Sequence, residues 1–202
     1  MNPQTLTSPV LEDAALLLVQ TKLEDGLSWL TTAYGRASRF VQRSGNIGEA
    51  YYPAGREIVS PVVYGESSTG EDYIRLFPDD TLGNFSYFDL TDEQRIDSYA
   101  TKSPAKNIYK FGADLVVWFD FRTVYPSPAD WKAYSVANVL QEVSDVLQES
   151  QIAGVSIEIE RYYYSVENIY RGYDHKEIAN QFAARPYGCF KIATTITYRK
   201  QC

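Results

Sequence analysis

Leu115-Val116-Val117-Trp118-Phe119 is the stretch on which the fold turns. It is an unbroken apolar run of β-branched and aromatic types, the composition of a strand covered on both faces. Downstream, Ser127-Pro128-Ala129-Asp130 starts a helix, with serine as N-cap and proline at the first helical position. Val136, Val139, Leu140, Val143 and Leu147 recur along one face, so a helix is expected over Ser127–Ser150, with Gly154 after its end. Val155-Ser156-Ile157-Glu158-Ile159-Glu160 then alternates strictly, one face buried and the other in water. A shorter helical stretch, Lys176 to Ala184, precedes a last strand, Cys189 to Tyr198, in which Phe190, Ile192 and Ile196 alternate with polar partners. Leu115–Phe121, Val155–Tyr162 and Cys189–Tyr198 are therefore expected in one sheet. The class is α+β, a mixed or antiparallel sheet with helices packed on one face.

Outward from this body, toward the N-terminus, the pattern changes to helix. Ser8-Pro9 is a start signal, and Leu16, Val19, Leu23, Leu27, Leu30 and Tyr34 recur at three- and four-residue steps. A long helical segment is expected over 9–41, ending with Phe40 and Val41. Thr21 with Glu24 also forms a capping box, which leaves open a break near residue 21. Residues 45–70 hold Pro53, Gly55, Pro61, Gly65 and Gly70 around Ile58-Val59, the pattern of an edge strand or an extended arm. Tyr73–Phe77 and Phe85–Phe88 flank the turn signal Leu82-Gly83-Asn84 and are expected as a hairpin or neighbouring strands. Thr91 to Ser103 is polar and expected as a loop. The helical segment, the arm at 45–70 and an α+β body at 71–200 make one domain over 1–202.

Chemistry-bearing side chains are scarce. The 202 residues include one histidine, His175, two cysteines, Cys189 and Cys202, and one methionine. His175 follows Asp174, but adjacent residues on a helix do not face each other, and no nucleophile is placed by a motif. Glu158 and Glu160 share a face about 7 Å apart, on the wet side of their strand. The glycines Gly26, Gly35, Gly45 and Gly48 match neither phosphate-binding pattern. No catalytic, cofactor or metal site is expected, and Cys189 is expected as a small core residue. With neither a membrane-spanning apolar run nor a signal-peptide pattern after Met1, the expectation is a protein of the cytosol.

Two features stand out against this scarcity. The net charge of −7 divides into 15 acids and 7 bases over residues 1–100, net −8, and 11 acids and 12 bases over 101–202, net +1. The excess gathers between Glu66 and Asp97, where it repels a phosphate backbone and forms a solvated rim or a surface for a basic partner. Tyrosines number 17, more than phenylalanine and tryptophan together. Consecutive strand residues point to opposite faces, so Tyr162-Tyr163-Tyr164 must expose at least one ring. These three, with Tyr51 and Tyr52, are the expected interface residues, since tyrosine buries a large ring while its hydroxyl keeps a partner.

The element order, with Phe77-Pro78-Asp79-Asp80, Gly83-Asn84-Phe85 and the strand Val117-Trp118-Phe119-Asp120, resembles small structural proteins of tailed bacteriophages. Within that group the chain is similar to tail terminator, or tail-completion, proteins. The resemblance implies a virion protein, assembled in the bacterial host cytoplasm, that forms a homo-oligomeric ring at the head–tail junction. Its implied partners are copies of itself and other neck or tail proteins. Catalytic residues, cofactor and membrane are absent from that picture, and so is sequence-specific nucleic acid. An acidic lining would let DNA slide through a non-adhesive channel. The alternative is a non-catalytic protein-binding module or accessory subunit of a host complex.

Overall fold

A computed structural model describes residues 11–42, 58–67, 70–78, 81–90, 108–149, 152, 154–178 and 180–199. Its centre is strand β5 (Ile108–Asp120), in which Leu115 to Phe119 are all buried, as an apolar run of this kind requires. Along the whole of β5 lies β7 (Tyr187–Arg199), antiparallel from Ile108 opposite Arg199 to Asp120 opposite Tyr187. The amphipathic strand β6 (Val155–Tyr163) pairs with the far side of β7 and ends the sheet. On the other side of β5 come β4 (Phe85–Asp89), β1 (Thr32–Gln42), β2 (Ile58–Ser67) and β3 (Gly70–Arg75). The seven-stranded order is β3-β2-β1-β4-β5-β7-β6, antiparallel except for the parallel pair β1–β4. The fold is thus α+β with a mixed sheet.

Alternation sorts the core into two layers. Phe111, Ala113, Leu115, Val117 and Phe119 of β5 face the long helices α1 (Leu11–Gly26) and α4 (Val136–Glu149). Val139, Leu140, Val143 and Leu147 of α4 are buried there with Leu16, Val19 and Leu23 of α1. Val116 and Trp118 point the other way, into a second cluster closed by a strap over 164–186. That strap contains α5 (Val166–Ile169) and two 3₁₀ turns, His175–Glu177 and Asn180–Ala183, where a short helix was expected. Ile169, Tyr170, Tyr173, Ile178 and Phe182 seal it to the sheet.

Five expectations need correction. The N-terminal helix stops at Gly26, and the segment that was to carry it on to residue 41 is β1. Register shifts between Ala33 and Arg36, so Ala33 lies in the helix-side core while Tyr34 and Ala37, three apart, both enter the other. A bulge thus puts two residues of odd spacing on one face of the strand. Part of the proposed arm, 58–67, is β2, an inner strand between β1 and β3; the arm's residues 45–57 and 68–69 lie outside the described residues. Proline is tolerated there because the Pro61 carbonyl faces the Leu76 N–H, 2.8 Å away and just past the end of β3. A residue's N–H and C=O point to the same neighbour, so the missing donor falls where that ladder has already ended.

Strands β3 and β4 are neither a hairpin nor neighbours, since β2 and β1 lie between them. The expected helix over Ser127–Ser150 is α3 (Pro128–Ala133) and α4, parted at Tyr134, and Phe121 opens a short helix α2 (Phe121–Val124) instead of ending the strand. Asn138 Oδ1 accepts from both Ser135 N–H and Ser135 Oγ, and Asn138 N–H donates back to the Ser135 carbonyl. This reciprocal cap restarts the helix two residues after α3 has closed. Arg185 holds the broken end by donating to the carbonyls of Trp131, Lys132 and Tyr134.

Candidate functional site

The outer end of the sheet carries the tyrosines singled out from sequence. Tyr162 is 38% exposed and Tyr164 53%, while Tyr163 packs at the rim of the strap-side core with Lys191 Nζ 5.0 Å from its ring centre. Tyr51 and Tyr52 lie outside the described residues. The opposed faces come from alternation, and a bulge shapes them further. Ile159 lies opposite Thr194 and Arg161 opposite Ala193, so Glu160 is the extra residue. Glu158 and Glu160 are both exposed. The Glu160 carboxylate accepts from the Thr195 hydroxyl, and Glu158 lies 4.0 Å from Lys110. Glu160 is thus held by its strand neighbour, while Glu158 makes one long, exposed contact.

His175 and Asp174 do not work together. The Asp174 carboxylate accepts from Val59 N–H at 2.7 Å and its own N–H donates to the Val59 carbonyl at 2.9 Å, a two-bond clamp of the strap onto β2. His175 sits half-buried in the first 3₁₀ turn.

A polar cluster under the strap went unseen in the sequence. Asp89 of β4 lies directly opposite Asp114 of β5. Asp89 is buried and accepts from the Tyr173 hydroxyl at 2.9 Å; Asp114 takes Lys191 Nζ at 3.0 Å, with Lys191 itself buried. Tyr87 and Tyr170 lie fully buried beside them, and burial pushes both hydroxyls well above the ordinary tyrosine range. Asp89 therefore does not belong to the solvated acidic rim. Alternation could have revealed it, since Phe85, Tyr87 and Asp89 share a face; what hid it was the run of acids around it. Buried charges persist where each has a partner, and these partners join three strands to the strap. The cluster is a set of bolts, with the Tyr87 and Tyr170 phenols held protonated.

Near α2 and α3, Tyr125 stacks on Tyr134 at 4.3 Å and donates to Glu142 at 2.7 Å, which also accepts from Trp29 Nε1 at 3.2 Å. Burial, then the bond to Glu142, pushes the Tyr125 hydroxyl upward. Tyr134 remains 38% exposed. On α1, Leu17 and Leu18 are exposed at 37% and 38%. Among the described residues no group of three or more His, Cys, Asp or Glu side chains is placed to hold a metal ion. No described helix is long and apolar enough to cross a membrane. Comparison with known proteins finds no family model that matches the chain and no curated protein similar to it.

Proposed function

We propose that the chain is a virion structural protein of a tailed phage, a ring-forming subunit at the head–tail junction. One observation carries the reading: large apolar side chains reach solvent on three separate elements. They are Leu17 and Leu18 on α1, Tyr134 after α3, and Tyr162 with Tyr164 at the end of β6. Scattered single hydrophobes need no explanation, but paired ones on distinct elements fit a subunit that meets several neighbours. A closed ring requires two different surfaces for the head-to-tail contact, and a junction component needs more for the layers above and below. The acidic first half supports a lining that repels DNA.

Mass spectrometry of purified phage particles, with electron microscopy of the purified protein, tests the proposal. The protein should be present in particles and form rings alone or with tail proteins. Its absence from particles, together with recovery in a host complex, would put the binding-module reading first.

A further inference from the structure

We infer that β6 is a self-complementary edge through which two copies of this chain pair antiparallel about a twofold axis. An edge strand presents unpaired backbone N–H and C=O groups, and among the described residues no strand lies outside β6. The bulge makes the sequence of this edge symmetric in chemistry. With Ile159 and Glu160 counted as one rung, Glu158 lies one rung before it and Arg161 one rung after. Ile157 and Tyr162 lie two rungs out. They are opposite Ile196 and Ile192 of β7, so both are on the helix side of the sheet. Glu158 and Arg161, opposite Thr195 and Ala193, share the other side.

A twofold axis through the bulged rung, normal to the sheet, keeps every residue on its own face. It sets Glu158 of each copy against Arg161 of the other, and Ile157 against Tyr162. Sliding the partner by two rungs is the smallest shift that preserves the faces. It places either Arg161 against Arg161 or Glu158 against Glu158 next to the axis. Like charges directly opposite are destabilising and unlike charges favourable, and the Glu160 carboxylate on the axis rung is turned back onto the Thr195 hydroxyl of its own β7, so the edge selects this register. The two side chains are free to do this. Arg161 is exposed with no ion-pair partner among the described residues, and Glu158 has only the long, exposed contact with Lys110. Tyr162, 38% exposed in the single chain, gains an apolar partner in Ile157. The contact is isologous, so it is separate from the head-to-tail contact of a ring; Leu17, Leu18 and Tyr134 remain for that.

Light scattering after size exclusion, over a concentration series of the isolated protein, reads the pairing without reference to phage particles. A dimer of twice 22.9 kDa is expected. Arg161→Glu turns both pairs into like charges and should weaken the dimer about tenfold or more. The double swap Glu158→Arg with Arg161→Glu should restore it. All these residues are exposed, so circular dichroism should report an unchanged fold. A monomer at every concentration, a dimer indifferent to Arg161→Glu, or failure of the double swap to rescue would each overturn the inference. Incorporation into particles plays no part in this measurement, so it can fail while the virion reading stands.

Discussion

At Cys189 the thiol is enclosed by the strap-side core, and burial pushes its pKa up to about 11. A free thiol of this kind behaves as a small hydrophobe and is a poor nucleophile at neutral pH. The folded state holds the proton more tightly than the unfolded chain, whose ordinary value is 9.0. Its stabilising contribution is therefore full below about pH 9 and is lost as pH rises toward about 11. In a Cys202→Ser background, urea unfolding should show stability declining across that window by up to about 3 kcal/mol. Cys189→Ala should flatten the decline, leaving the part due to Tyr87, Tyr170 and Tyr125. A pH profile unchanged by the substitution would show that the thiol is reached by water. That Cys189 is a core residue was legible from the usual burial of free cysteine, whereas the alternation of its strand set it on the face opposite Phe190 and Ile192. The role of Asn84 was not, although it stands in a recognised turn signal. Its Nδ2 donates to the Trp29 carbonyl and the Thr123 hydroxyl, its Oδ1 accepts from Asp120 N–H, and its carbonyl takes Thr31 and Thr32. These partners lie far along the chain, where no local pattern reaches.

Strands and helices were legible where one period dominates and is undisturbed. β5, β7, β6 up to its bulge at Glu160 and the apolar face of α4 answer to this description. β1 failed because Tyr34 falls four residues after Leu30 and so continues the stripe of α1 past its end, and β2 because its proline sits beyond the end of β3's ladder. The meeting of β5 with β7 shows a further constraint that only pairing reveals. Gly188 lies directly opposite Phe119, and a Cβ there would come within 2.6 Å of the ring. The ring cannot easily yield, because Phe121 meets it edge-on at 5.0 Å and Trp29 and Phe190 press it at 6.0 Å. Gly188→Ala should therefore destabilise by about 1–3 kcal/mol through overpacking. Chemical denaturation measures the loss, and Phe119→Leu combined with Gly188→Ala should recover part of it, since neighbours in contact couple. Strict additivity of the two changes would place the strain elsewhere.

Across the molecule, the described sheet is covered on both faces at its centre and open toward β6. Helices α1 and α4 cover one side and the strap the other, bolted through Asp89–Tyr173 and Asp174–Val59. Neither the strap's cover nor the order of the first four strands was legible, because both arise from contacts between distant segments. What remains outside the closed body are the apolar side chains of α1, Tyr134 and β6. If the chain is a virion subunit, α1 offers the simplest test. Leu17 and Leu18 contribute little to the fold as they stand, being more than a third exposed at 37% and 38%. Lysine is a good helix former, so Leu17→Lys with Leu18→Lys should change stability by no more than about 0.5 kcal/mol. The same change sets two charges in place of an apolar contact, which an interface core excludes. Complementation of a phage lacking the gene should then yield folded, soluble subunit that fails to enter particles. Thermal melting checks the first half of this expectation and quantitative mass spectrometry of particles the second. Incorporation at the wild-type level would remove α1 from the contacts, leaving Tyr134 and Tyr164 for the ring.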